Sequence, residues 1–301
     1  MAVEIRQARR DDSDAVAAFT QDTWSDRRES GDYLPRVFED WVESDDDTQR
    51  TFVADVDGTA AGVLQVVRLS EHEAWAQGMR VDPAHRGKSL GTRLTHAGFD
   101  WARERGATVA RNMVFSWNVM GLGLSRAAGF EPETEFRWVH PTPDADASHD
   151  YTETGDVHTA WRALQSSRAF DELAGLGLDL NEAWALSELT KDTLRDAPRT
   201  IALTDGDGAR AAAYRVRDYD RENEGGDSVT WADYGVGVWH DTDACDALLT
   251  AISRDAAEND IDQVRVLIPE AVDFVSDAAA ARVDIGDEPD FVTAADLTAD
   301  Y

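Results

Sequence analysis

Two stretches of this 301-residue chain, about half a chain apart, share one pattern. Arg50-Thr-Phe-Val-Ala-Asp-Val-Asp-Gly and Arg199-Thr-Ile-Ala-Leu-Thr-Asp-Gly-Asp-Gly each open on Arg-Thr, run as a strand, and turn at Asp-Gly into a second strand. The elements downstream of the two hairpins also correspond. After the first hairpin come a strand at His72–Val81, a helix from about Gly91 to Arg105, a strand at Val109–Ser116, a helix at Val119–Ala128 and a strand at Glu135–His140. After the second come a strand at Ser228–Trp239, a helix at Asp243–Asn259, a strand at Gln263–Ile268 and a helix near Glu270–Ala281. The matching order favours two copies of one α/β fold over a chance likeness of two hairpins. Pro141–Asp150 is polar, holds two prolines and has no periodicity, so it reads as a linker. The expected organisation is a domain over 1–140, a linker over 141–151 and a second domain over 152–301. A strand at Val3–Gln7 and two helices, one carrying Val16 and Phe19 and one carrying Phe38 and Trp41, precede the first hairpin. Helical patterns at Val157–Arg168 and Asn181–Arg195 precede the second.

The charge narrows the partners. With 29 basic and 60 acidic residues the net charge is −31, which repels phosphate backbones and anionic membrane surfaces. Nucleic acid and membrane are therefore not expected as partners. Lys88 and Lys191 are the only lysines. An acidic, lysine-poor composition suits a halophilic protein in a salt-rich cytoplasm, where screening weakens self-repulsion. The acidity then says little about the substrate. No apolar run is long enough for a transmembrane helix, and Met1–Arg6 enters a strand pattern without a signal-peptide core, so a soluble cytoplasmic protein is expected. The single cysteine, Cys245, allows no internal disulfide and is expected to be buried. The histidines lack metal-site spacing, and no metal is expected.

Met79-Arg-Val-Asp-Pro-Ala-His-Arg86-Gly87-Lys88-Ser89-Leu90-Gly91-Thr92-Arg-Leu94 reads as a strand, a proline stop, a short basic loop and an amphipathic helix. A loop entering a helix points unpaired N–H groups outward at the positive end of the helix dipole. Gly87 and Gly91 would let an anion approach the backbone, and Arg86 and Lys88 add charge. The alternative is an ordinary basic turn. A nucleotide P-loop does not fit, since it needs glycine where Asp82 stands, and Pro83 removes an N–H.

The spacing Val81-x-Pro83-x-x-Arg86-Gly-x-Ser89-x-Gly91-x-x-Leu94 resembles the acyl-CoA-binding motif of the GNAT N-acetyltransferases, written [QR]xxGx[GA]. Asn118-Val-Met-Gly121-Leu-Gly-Leu124-Ser125-Arg-Ala-Ala-Gly129-Phe130 is similar to a second family pattern, NxxAxxLYxxxGF. The resemblance covers about residues 3–140. It implies tandem GNAT-like mixed sheets flanked by helices (an α/β or α+β class), with acetyl-CoA as co-substrate. It further implies loop amides and side chains from Arg86, Gly87, Lys88, Ser89, Gly91 and Thr92 around the pyrophosphate, main-chain contacts from Met79 and Val81 to the pantetheine arm, and a cofactor contact at Asn118. Gly78 would supply a bulge that opens the strand gap. The implied reaction is direct attack of a primary amine on acetyl-CoA in a ternary complex. The acceptor would be a small-molecule amine or a protein N-terminus, and nothing in the sequence indicates an oligomeric state.

Two departures from the family bear on catalysis. Ser89 replaces the motif's first glycine, and Ser125 replaces the tyrosine that commonly protonates the departing thiolate. Ser125 is thus either a substitute for that acid or a helical serine without a role. In the latter case the chain would be a non-catalytic acyl-CoA-binding module or sensor. The family's general base often lies on the strand before the loop, at a place that aligns with Trp75. Glu73 and Glu71 share that strand face, and Glu73 is the preferred candidate, the alternative being a solvated charge. In the second half, His240-Asp-Thr-Asp-Ala-Cys-Asp replaces the basic loop, so a degenerate copy without a cofactor site is expected there.

Overall fold

In a computed structural model, which describes residues 2–24, 27, 31–206, 208–223 and 225–299, the chain divides into two units. The first holds residues up to Val114, Asn118–Pro132 and Val292–Tyr301; the second holds Phe115–Trp117 and Glu133–Phe291. These are not the halves that the linker suggested. Residues 133–140, placed before the linker, belong to the second unit, and residues 292–299 belong to the first.

The first unit runs β1 (Val3–Gln7), α1 (Ser13–Thr20), α2 (Leu34–Glu43), β2 (Gln49–Val56), β3 (Thr59–Arg68), β4 (Glu73–Val81), α3 (Leu90–Arg103), β5 (Val109–Phe115) and α4 (Val119–Ala128). Strands β1 to β4 are antiparallel neighbours in chain order, and β5 joins β4 in parallel. A parallel pair needs a crossover, and α3 provides it. The buried strands β2 and β3 carry apolar side chains on both faces. One set, with Leu64 and Val66, packs with Leu90, Leu94 and Phe99 of α3 and with Phe130. The other, with Val53 and Val63, packs with Val16 of α1 and with Leu34 and Phe38 of α2. Gly129, with φ +102, ends α4 as the sequence requires.

The second unit contains β6 (Glu131–His140), β7 (Thr152–Thr154), α5 (Val157–Ser166), α6 (Arg168–Glu172), β8 (Leu176–Leu178), β9 (Leu186–Glu188), α7 (Lys191–Asp196), β10 (Arg199–Asp205), β11 (Gly208–Glu222), β12 (Ser228–Tyr234), β13 (Val238–Trp239), α8 (Thr242–Glu258), β14 (Gln263–Pro269), α9 (Val272–Ala280) and β15 (Asp284–Ile285). Strands β7, β10, β11 and β12 are antiparallel in that order, and β14 joins β12 in parallel across α8. The order repeats that of β1 to β5 around α3. Ile201, Leu203, Val236, Val238, Val264, Val266 and Ile268 are buried, while Asp243 and Asp246 are exposed and Asp241 is half-buried. One expected helix is absent. Within 181–195 only the stretch from Lys191 is helical, because Leu186–Glu188 pairs with Leu176–Leu178 and Trp184 takes a left-handed φ of +66 that ends helical continuation.

The last strand, β16 (Asp290–Asp296), lies beside β5. Val292, Ala295 and Leu297 are buried, Leu297 donates its N–H to the Thr108 carbonyl, and Arg103 holds the Leu297 and Ala299 carbonyls. Among the described residues no helix is long and apolar enough to cross a membrane. Because Leu297 packs in the α3-side core of the first unit, Leu297→Ala should cost about 2–4 kcal/mol. Urea unfolding followed by amide exchange should show the loss in β1–β5, with β10–β14 protected as before.

Candidate active site

Strands β4 and β5 pair at Glu73 with Val109, Ala74 with Ala110 and Trp75 with Arg111, and no further. Both strands continue, β4 to Val81 and β5 to Phe115. They therefore part as a wedge with its apex at Trp75 and Arg111. On its other edge β4 stays paired with β3, but with one residue too many. Val63 faces Arg80 and Gln65 faces Gln77, so Gly78 and Met79 oppose Leu64 alone. This β-bulge bends β4. Gly78 is required there twice over: its φ is +66, and a Cβ would lie 2.6 Å from the Trp41 ring. Met79 and Val81 sit on the parted stretch. The Met79 carbonyl accepts from the Arg80 guanidinium, which is itself bound to the buried Asp32.

Beyond β4, the Asp82 carboxylate accepts from the Ala84 N–H, and Pro83–His85 form a short 3₁₀ turn. Arg86, Gly87, Lys88 and Ser89 of the loop are exposed, and His85 before them is half-buried. Ser89, at the N-cap of α3, has φ +57 and ψ +22 and makes no side-chain cap. The left-handed backbone explains why glycine suits this place, and serine holds it at a cost of about 1 kcal/mol. The N–H groups at the start of α3 thus lack the side-chain acceptor that usually covers them. Thr92 is half-buried in the same first turn. Gly91 also has a packing role. It is buried, and a Cβ on it would meet Leu124 of α4 at 2.7 Å, so its missing side chain lets α3 and α4 pack closely.

In the second unit α8 takes the place of α3, and its start is closed. Asp241 accepts from the Ala244 N–H and is bound by Arg210. A carboxylate of the chain already occupies the anion-attracting end of that helix. Cys245, in the next turn, is buried, and burial pushes its thiol well above the usual range.

Helix α4 carries the second motif. Asn118 accepts from the Gly121 N–H at 2.9 Å, so this side chain caps the helix. Ser125 is buried, and its Oγ accepts from Asn112 Nδ2 at 3.0 Å. Asn112 Oδ1 in turn accepts from the Thr293 hydroxyl at 2.5 Å. Ser125 is therefore not a loose surface serine. Asn112 and Thr293 belong to no motif. The one is an unremarked polar residue of β5 and the other lies on β16, so no local pattern in the sequence joins them.

Glu73 is neither an open base nor a solvated charge. It is 3% exposed, its Oε1 accepts from Arg111 at 2.6 Å, and its Oε2 accepts from Ser70 Oγ at 3.1 Å. Arg111 is buried as well, two residues along β5 from the residue that faces Glu73, so the pair ties the two strands at the apex. Glu71 is exposed.

The model of the GNAT acetyltransferase family matches residues 14–130. The streptothricin acetyltransferase of Streptomyces lavendulae is 32% identical over 156 residues, which cover 42% of this chain and 80% of that protein. The chain belongs to the GNAT acetyltransferase family. Two solved structures match nearly its whole length. A GCN5-related N-acetyltransferase from Sphaerobacter thermophilus aligns with a TM-score of 0.62 at 17% identity, over 98% of this chain and 96% of that one. A structure from Thermoplasma acidophilum aligns with a TM-score of 0.54 at 15% identity, over 97% and 98%. At these identities they bear on the fold alone, an α/β arrangement of mixed sheets flanked by helices.

The ion pair at the apex of this GNAT wedge gives a direct test of the role of Glu73. Glu73→Gln leaves Arg111 buried without its carboxylate and should lower stability by about 3 kcal/mol, read as a drop in melting temperature. If Glu73 were instead the base, the variant would melt normally and acetyl transfer would fall.

Proposed function

We propose that the first unit binds acetyl-CoA and transfers its acetyl group to a primary amine by direct attack, without a covalent enzyme intermediate. The observation that carries this reading is the uncapped start of α3, reached from the parted end of β4. Its N–H groups, with Arg86 and Lys88 beside them, suit the pyrophosphate of a CoA ester. The parted edge of β4 around Met79 and Val81 suits the amide-bearing pantetheine arm, which would run along the strand as an added hydrogen-bonding partner. Asn118 and Gly91 act in this reading through placement, Asn118 by starting α4 and Gly91 by letting α4 approach α3.

The chemistry asked of the chain is modest. An amine attacks the thioester carbonyl and the thiolate leaves. Ser125 stands where the family pattern has its tyrosine and is the candidate to assist the leaving group. Glu73 is held by Arg111, and its proposed contribution is to fix the wedge apex rather than to take the proton of the amine. The acceptor is a small-molecule amine, a class that the name of the streptothricin relative supports; a protein N-terminus is the alternative class. A salt-rich cytoplasm is the setting proposed for the chain, and the acidic, lysine-poor composition supports the salt-rich part of that reading. The second unit is read as a degenerate copy without a cofactor, since Asp241 closes α8.

A second reading, a non-catalytic acyl-CoA-binding module, is favoured by Ser125 itself, a much weaker acid than a phenol. Calorimetry and thiol release, both in concentrated KCl, separate the two. Wild-type protein should bind CoA at one site per chain, and Arg86→Glu should weaken binding by at least about tenfold, as a reversed charge beside a pyrophosphate would. Thiol release in the presence of a small amine supports transfer. Binding without release from any of a broad panel of amines and N-terminal peptides supports the module, and absence of binding at millimolar CoA ends both readings.

A further inference from the structure

The contacts around Ser125 define a direction. Thr293 Oγ donates to Asn112 Oδ1, and Asn112 Nδ2 donates to Ser125 Oγ. A side-chain amide has one accepting and one donating end. With the oxygen taken by the Thr293 hydroxyl, the nitrogen faces Ser125. Ser125 Oγ then receives a hydrogen bond and keeps its own proton to give. Asn112 directly follows Arg111, the last β5 residue paired with β4, so the relay begins at the apex of the wedge. Thr293 and Ser125, at the two ends of the chain of contacts, are each 5% exposed, and Asn112 between them is half-buried.

We propose that Asn112 and Thr293 are positioning residues that aim the Ser125 hydroxyl at the sulfur of a bound CoA thioester, where it donates a hydrogen bond to the departing thiolate. The inference rests on the acetyl-transfer reading above. In the step itself the amine nitrogen bonds to the carbonyl carbon, the carbon–sulfur bond breaks, and sulfur leaves with the bonding pair. The surplus proton on nitrogen passes to solvent. The serine proton stays on oxygen. A thiol titrates near about 8.5, far below an aliphatic hydroxyl, so full transfer from serine to thiolate is uphill while a charge-assisted hydrogen bond is favourable. A tyrosine acid, titrating near about 10, would lose its proton and its effect in alkali; a serine donor does not. Thr293 matters because the amide without it is free to turn. Turned, its oxygen accepts the Ser125 proton and withdraws it from sulfur.

The test uses the full chain in concentrated salt, with Ser125→Ala, Thr293→Val, Thr293→Ser and the Ser125→Ala/Thr293→Val double variant. Melting temperature and CoA affinity are checked for each. The first readout is the ultraviolet titration of the thiol of bound CoA, which needs no acceptor. The thiol pKa should rise by about half a unit to one unit in Ser125→Ala and Thr293→Val. It should return in Thr293→Ser, and the double variant should shift no further than Ser125→Ala. The second readout is thiol release with an amine. The value of kcat should fall about tenfold in Ser125→Ala and severalfold in Thr293→Val, with KM for acetyl-CoA unchanged and no alkaline decline in the wild type. An unshifted thiol pKa in both single variants, a Thr293→Ser that does not restore it, or an additive double variant overturns the relay. If the variants show the thiol shifts but the wild type releases no thiol with any amine, the transfer reading is overturned and the relay stands as a thiolate contact.

Discussion

Backbone groups left without partners are the constraint on which the first unit depends. Two parallel strands that start as neighbours and then part expose N–H and C=O groups that a folded protein ordinarily pairs. Here β4 and β5 part after Trp75 and Arg111. Each surrounding feature either creates that gap or serves it. The extra residue at Gly78 bends β4 away, and the Trp41 ring fills the space that a side chain would take. The Glu73–Arg111 pair stops the opening from running further down the strands. Gly91 lets α4 approach α3, so that Ser125 reaches Asn112.

The two units show how little separates a ligand-ready helix start from a closed one. Both place a helix between parallel strands of the same order. In α3 the N-cap is Ser89, whose strained backbone offers no side-chain acceptor; in α8 it is Asp241, which caps the helix and binds Arg210. The helix dipole is present in both. What differs is whether the chain directs that field at its own carboxylate. The sheet does not register the difference, because Val264, Val266 and Ile268 are buried whether or not a ligand is present.

Much of this was legible in the sequence, for identifiable reasons. Asp-Gly turns, alternating strands and the Gly129 stop are local signals, and the elements they mark formed where expected. The wedge was legible only through its resemblance to a family, since no local pattern states that two strands will part. The helix expected over Asn181–Arg195 failed because Leu186–Glu188 found a partner in Leu176–Leu178, which periodicity does not encode. At the site, Arg86 to Thr92 stood out because basic charge is scarce in this chain. Glu73 looked available because its strand position was known and its partner was not. Asn112 and Thr293 were invisible: a polar residue on one strand gains meaning only when a residue 181 positions away touches it.

That distant contact has a consequence for the order of assembly. The strand beside β5 is translated after the whole of the second unit. Until it emerges, the nascent first unit has an open β5 edge, an uncovered patch where Ala295 and Leu297 will pack, and an Asn112 amide with nothing to fix its direction. An open strand edge invites pairing with other chains. The part of the protein that is made first is thus finished last, and the intervening residues have the time to fold before it closes.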